Sequence, residues 1–487
     1  MKLFGPIVGV LLIIAIIAMA GVAVTYLNQG TSTTQDSTSS SGMTTTTTLT
    51  RAGTTTGIST TGSDSPVWPT YHLDNSRSGY DPNEPQVGSV RSAWNSSSLD
   101  GAIYAEPLIA DGMIYVATEN NSIYALNENT GAQVWRTNLG TPIPGSSLPC
   151  GDIDPSGITG TPVINGTAGA IYAVAYVESS GQSGSHELFS LNLKTGSTIF
   201  ERNVDPSGAD VTVLQQRAAL ALANGMVYIA YGGLDGDCGN YQGWVIGATA
   251  NNIGPLVSYQ VPTQREGGIW APSGPTIESS GDLLVAIGNS AATSSTDSFD
   301  YGDSVVRLSP TLQVLGYWAP SDWATLNAGD TDVGSISPSL LGGGTVFQSG
   351  KDGMGYLLNE SNLGGIGGEL FSAQVCDSAF GGTAHATPYL FVPCTGGLFV
   401  LNVKTGTAPS FTPVWNATGF WAGPPIIAGG AVWTVGTDSS WLYAYSMQSG
   451  NLLFQYQLGS VVHFETLSSG GGVVFLADGN VIRAFSM

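Results

Sequence analysis

Seven side chains stand out as candidates for recognition or proton chemistry: Glu106, Arg217, Trp270, His385, Trp421, His463 and Glu465. Arg217 and Glu465 bring opposite charges, the tryptophans bring flat apolar faces, and the histidines change protonation near neutral pH. The two histidines stand on separate blades, with no metal-ligand spacing to support them. Asp235-Gly236-Asp237 and Asp330-Thr331-Asp332 begin like calcium loops, but no Glu stands at the twelfth position of either. No Ser-His-Asp elbow and no phosphate loop is present. The sequence therefore yields no catalytic residue set and no metal site. What remains is a polar and aromatic set suited to binding a small ligand or a peptide.

The elements that must position these residues are set by a repeat. From Ile103 to Leu139 the chain reads IYAEPLIADGMIYVATENNSIYALNENTGAQVWRTNL. Four short runs rich in β-branched and aromatic residues are separated by Gly, Asn and Asp, which accept positive φ. This is an antiparallel four-strand unit of about forty residues, the size of a propeller blade. Later copies open at Gly160-Thr161-Pro162, Gln216-Arg217, Trp270, Ser337-Pro338, Thr387-Pro388 and Pro424-Pro425. The last copy, His463 to Met487, has three strands, and Val90 to Asn95 supplies its fourth. Strands from both termini then share one blade and leave no open edge. The expected fold is an all-β, eight-bladed β-propeller, with seven blades if that closure fails. Its innermost strands place Ala105, Gly160, Arg217, Ser273, Ile336, Ala386, Gly423 and Glu465 in a ring around the channel, a mostly small-residue lining. The seven candidates fall near its mouth.

Lys and Arg total 13 against 35 Asp and Glu, a formal net charge of −22. Such a surface repels phosphate backbones, so nucleic acid is not an expected partner. Residues 1–27 are almost wholly apolar and long enough to span a bilayer as an anchor, or to act as a cleaved signal. Residues 28–65 form a Ser/Thr-rich tract with little to bury, expected as a flexible stalk. The globular part spans 66–487. These features imply a single-pass membrane protein with an extracellular head, or a secreted head if the first segment is cleaved. Sequons at Asn95, Asn120, Asn165, Asn359 and Asn416 suit a glycoprotein. The four cysteines either pair as Cys150–Cys238 and Cys376–Cys394 or stay as buried thiols; export favours the disulfides.

Between stalk and repeats lies Trp68-Pro69-Thr70-Tyr71-His72-Leu73-Asp74-Asn75-Ser76-Arg77-Ser78-Gly79-Tyr80. This leader, with Glu106-Pro107, Tyr124-Ala125-Leu126-Asn127, Thr130-Gly131 and Trp135, resembles the pyrroloquinoline-quinone-repeat family of β-propellers. Gly267-Gly268-Ile269-Trp270, Tyr301-Gly302-Asp303-Ser304 and Ser349-Gly350-Lys351-Asp352-Gly353 are similar as well. The family includes quinone-dependent alcohol dehydrogenases and non-catalytic propellers such as the outer-membrane assembly lipoprotein. The dehydrogenases carry adjacent cysteines and a calcium; no two cysteines are adjacent here. The resemblance thus implies a non-catalytic binding or scaffolding module without cofactor, with an envelope protein or a surface glycan as partner. Two other readings are a dehydrogenase using pyrroloquinoline quinone with calcium and a structural envelope component.

Overall fold

The computed structural model describes residues 67–179 and 182–487. The anchor or signal segment 1–27 and the stalk 28–65 lie outside the described residues. No described helix is long and apolar enough to cross a membrane.

Eight antiparallel sheets form the eight blades. Blade 1 is built from Leu108–Ala110, Met113–Thr118, Ser122–Asn127 and Gln133–Asn138, in that order from the centre outward. Its three inner strands are almost entirely buried, whereas Gln133–Asn138 is mostly exposed. The cause is geometric. A blade has a neighbouring sheet on both faces, so its inner strands lose the apolar/polar alternation of a half-exposed sheet. The same order recurs through blade 7, which ends at Leu452–Gln457. Blade 8 takes Leu467–Gly470, Val473–Asp478 and Val481–Ser486 from the C-terminus, and its outer strand, Arg91–Asn95, from the N-terminal side. Arg91 pairs with Ser486 and Asn95 with Arg483, so the ring closes in the expected register.

The leader does more than enter the ring. Trp68 bridges Ile109 of blade 1, and the carbonyl of Pro69 accepts from the N–H of Ile164 in blade 2 at 2.8 Å. Farther along, the carbonyls of Asn75, Ser78 and Gly79 accept from Ile277, His385 and Ile427, in blades 4, 6 and 7. Tyr80–Asp81 then runs parallel to Ile427–Ala428. A segment bonded to the innermost strands of so many blades must lie on the axis. The expected ring of channel-lining residues therefore packs against a filled centre: Ala105, Ser273, Ile336, Ala386 and Glu465 are all buried.

Both expected disulfides are formed. Cys150–Cys238 ties the loop leading into blade 2 to the loop between the middle strands of blade 3, and Cys376–Cys394 clips blade 6.

Candidate functional site

The axial plug is held by a buried polar cluster. The Glu106 carboxylate accepts from the Trp68 indole and from the backbone N–H of His72 at 3.1 and 3.2 Å. His72 bonds the Thr383 carbonyl at 3.0 Å through Nδ1 and the Thr466 hydroxyl at 3.3 Å through Nε2. Burial lowers its pKa to about 3, so the imidazole is neutral. Burial also pushes the Glu106 carboxyl well above the ordinary range. Glu106 is thus a structural partner of the plug, and Glu465, 3% exposed, is likewise interior. His385 lines a separate cavity with Leu341, Pro388 and Thr405. The expectation that all seven candidates share one mouth fails for these three, because the leader occupies the space they were read as facing.

The other four do share one mouth. Arg217, Trp270, His463 and Trp421 lie around adjoining cavities that all include Phe464. The largest is a cleft of about 370 Å³ fed by blades 3, 4 and 5 and the segment into blade 8. Trp270 is seated by glycines: a Cβ on Gly232 would come within 2.8 Å of its Cβ, and one on Gly288 within 3.0 Å of its Nε1. Lys351 Nζ stands 5.7 Å from the Trp270 ring centre. It pairs with Asp332 at 2.7 Å and Asp330 at 2.9 Å. Asp332 also accepts the backbone N–H of Asn289 at 2.6 Å. Burial raises the Asp332 carboxyl, while Lys351 opposes that shift. Arg217 donates to Gln215 at 3.1 Å, faces Asp152 at 3.6 Å and lies 5.5 Å over the Phe464 ring. Asp235 and Asp237 complete the wall.

Asn289 is new to the site; Asp235, Asp237, Asp330 and Asp332 are read in the sequence only as incomplete calcium loops, and Lys351 only as part of a family-like stretch. A positional signal exists: most follow the second strand of a blade within a few residues, as Asn289 follows Leu283–Ile287 and Lys351 follows Thr345–Ser349. Those strands all end toward the same mouth. Of the sequons, Asn95 and Asn416 are exposed on outer strands. The amide of Asn120 is engaged with Asp100 at 2.9 Å. Asn165 and Asn359 are half-buried at the ends of strands Val163–Asn165 and Met354–Asn359, where each side-chain oxygen accepts a backbone N–H of the following turn.

Pyrroloquinoline quinone is a flat tricarboxylate, and the cleft suits it in size, in the face of Trp270, and in the charges of Arg217 and Lys351. Four carboxylates line the same cleft: Asp235, Asp237, Asp330 and Asp332. An anion settles beside them only if a polyvalent cation stands between. Aspartate and Asn289 oxygens are the donors a hard cation takes. Among the described residues no three His, Cys, Asp or Glu already converge on a metal position, and Lys351 bridges Asp330 and Asp332. The cleft therefore matches the quinone in volume and the cation in donor type, with Lys351 standing between the two aspartates a cation would take.

The family model described as outer membrane protein assembly factor BamB matches residues 90–234. No curated protein matches the chain. Among solved structures, quinohemoprotein alcohol dehydrogenase from Comamonas testosteroni is similar at 15% identity and a TM-score of 0.66, covering 86% of this chain and 80% of its own. A europium-containing methanol dehydrogenase is also 15% identical with a TM-score of 0.66, over 87% of this chain and 98% of that one. BamB from Moraxella catarrhalis is 11% identical with a TM-score of 0.56, over 82% and 100%. At such identities the likeness speaks for the fold. With the closed ring of eight sheets, it makes this chain an eight-bladed β-propeller, of which residues 90–234 match the assembly-factor model.

Proposed function

We propose that the head binds a flat polycarboxylate quinone together with a polyvalent cation in the 370 Å³ cleft, and serves as a quinone-dependent dehydrogenase. The observation that carries this reading is the convergence of Trp270, Asn289, Asp330, Asp332 and Lys351 with Arg217 on one cleft. Bound there, the quinone would supply a two-electron acceptor. The chain's own residues have separate parts. Trp270 offers a flat face, and Arg217 and Lys351 meet the ligand's carboxylates. Asp330 and Asn289 present oxygens to the cation. Asp332, its carboxyl raised by burial, is placed to hold a proton beside Lys351.

A second reading keeps the propeller as a non-catalytic binding or scaffolding module at the cell surface. Its partner would be an envelope protein or a surface glycan, and the N-terminal segment would tether it. The match of residues 90–234 to the assembly-factor family, and the lack of adjacent cysteines, favour it.

Titration of the full-length protein with pyrroloquinoline quinone separates the two. Absorbance and calorimetry, with and without Ca²⁺ or La³⁺, should show saturable uptake only when the cation is present. Asp332→Asn and Asn289→Ala should each weaken it tenfold or more. No uptake under either condition sinks the dehydrogenase reading and leaves the scaffold.

A further inference from the structure

A second large space lies where blades 3 and 4 meet. It measures about 500 Å³ and shares no lining residue with the quinone cleft. One wall is the segment that follows the outer strand of blade 3, Val257–Gln260, and includes Pro262 and Gln264. The other is the connection 288–303 between Leu283–Ile287 and Ser304–Leu308, where blade 1 turns within 119–121. That long connection is fastened at several points. Asp300 accepts from the hydroxyls of Ser290 at 2.6 Å and Thr263 at 2.8 Å, and from the N–H of Ala292 at 3.1 Å. Asn327 donates to the Ala292 carbonyl at 2.7 Å and accepts the N–H of Ser290 at 3.0 Å. Phe299 is wedged among Tyr301, Tyr317 and Trp323, with ring centres 5.2, 5.2 and 5.1 Å away. Its remaining surface lines the cleft.

Around this fixed ring three polar groups are left over. The amide of Gln264, the hydroxyl of Ser298 and one oxygen of Asp297 have no partner among the described residues; the other Asp297 oxygen accepts the N–H of Ser294 at 3.0 Å. All three residues are exposed. We propose that this cleft binds a neutral saccharide, in the form of a disaccharide unit of a surface glycan. Sugar hydroxyls both donate and accept, as an amide, a hydroxyl and a carboxylate in one site require. The C–H face of a sugar ring packs against an aromatic ring that is already held in place. No Lys or Arg lines the cleft, so an acidic sugar would meet only the charges of Asp297 and Asp300. A cation is no better served. Asp300 is filled by protein donors, and one exposed carboxylate holds an amine weakly in water. The space is of ligand size and leaves room for more than one sugar ring. The assignment does not depend on the quinone cleft. It gives the glycan of the non-catalytic reading a place on the head.

Full-length protein, without quinone, is titrated with maltose, cellobiose, lactose, glucose, glucuronate and spermidine, following calorimetry and ligand-observed NMR. At least one disaccharide should saturate with a Kd on the order of millimolar, with glucose, glucuronate and spermidine at least fivefold weaker. Phe299→Ala should weaken that disaccharide tenfold or more. Its ring also packs the connection, so Gln264→Ala and Asp297→Ala, at exposed positions that spare the fold, carry the decisive test. Each should weaken binding about fivefold, a little under the tenfold that 1.4 kcal/mol represents. Saturation by none of the three disaccharides overturns the site. So does spermidine binding tighter than all of them, which would make the cleft an amine site. Disaccharide binding indifferent to both exposed substitutions overturns it as well, since the sugar would then be held elsewhere. Quinone uptake is scored separately by its absorbance. Uptake without disaccharide binding removes the saccharide site alone; disaccharide binding sensitive to Asp297→Ala without quinone uptake removes the dehydrogenase reading alone.

Discussion

Arg77 shows how one side chain sets the interior. It is 1% exposed, yet its guanidinium has no ion pair among the described residues. It donates instead to the Thr70 hydroxyl at 2.8 Å and to the carbonyls of Tyr71, Leu220 and Pro275 at 3.1, 3.2 and 3.0 Å. These acceptors belong to the leader and to blades 3 and 4, so a single planar fork joins three pieces of backbone. Burial lowers its pKa to about 10, which still leaves it charged at neutral pH. Arg77→Met would keep the volume and strand the Tyr71 and Pro275 carbonyls, while the Thr70 hydroxyl still donates to the Leu220 carbonyl at 3.4 Å. Each stranded oxygen costs about 1–3 kcal/mol before relaxation, so a net loss of about 3–5 kcal/mol is expected in urea unfolding. Arg77→Lys, with three donors and no fork, should recover only part. A loss under about 1 kcal/mol for Arg77→Met would mean that desolvation cancels the fork's bonds.

At the scale of elements, blades are joined by a repeated latch between a tryptophan and a glycine. Trp94 of the closing strand lies over Gly131 of blade 1, Trp135 over Gly196 of blade 2, and Trp415 over Gly450 of blade 7. Each indole N–H donates to a carbonyl of the neighbouring turn: Glu128, Leu193 and Met447 at 2.9, 2.9 and 3.3 Å. Each glycine has φ near +70°, and its missing Cβ is where the indole packs. Gly112 has nearly the same φ, +72°, with nothing within 4 Å of where a Cβ would go. It is therefore an internal control. Gly112→Ala should cost about 1 kcal/mol, from backbone conformation alone. Gly131→Ala should cost about 2–4 kcal/mol, because the indole must also move. Equal Tm shifts would show that the latch carries no packing energy. This latch explains why the fold was legible: Thr-Gly turns and outer-strand tryptophans recur at fixed places because neighbouring blades need them. The strand 91–95 was legible for the same reason, being the one missing from the last copy. The plug was not. Trp68 to Tyr80 has neither period 2 nor period 3.6, since it meets a different blade every few residues. With the axis filled, Glu106, His385 and Glu465 could not share the mouth that Arg217, Trp270, Trp421 and His463 form.

For the whole molecule the governing quantity is proton uptake by buried carboxyls. Burial raises Glu84 and Glu119 to about 7, and pushes Glu106, Asp303 and Glu465 well above the usual carboxylate range. A carboxyl with a raised folded pKa binds its proton more tightly when folded. Its contribution is full below the unfolded value near 4.5 and is lost as pH rises through the folded value. Three histidines act oppositely. Burial lowers His72 to about 3 and His463 to about 4, and lowers His385 as well. They resist protonation in the fold, so they weaken it as pH falls below about 6.5. Between pH 6.5 and 7.5 the unfolded histidines go from half to about nine-tenths neutral, a small gain, while every carboxyl held well above 7 loses its full increment, so stability must fall over that range. Below it the two groups compete, and the raised carboxyls, which also include Glu128, Glu266, Glu278, Asp332 and Asp352, outnumber the lowered histidines His72, His385 and His463. Long-range charge adds to the carboxyl side. A net charge of −22 at pH 7 shrinks as pH approaches the isoelectric point of about 4.2, relieving self-repulsion. The Tm should therefore rise by several degrees from pH 7.5 to pH 5 at fixed ionic strength. Glu119→Gln, isosteric and permanently neutral, should flatten the part of that rise above pH 6.5. Added salt should shrink the surface contribution and leave the buried one. A Tm that is flat or increasing from pH 6.5 to 7.5 would mean that the buried carboxyls ionise in the fold at no cost, with Arg77, Arg217 and Lys351 neutralising them across the interior.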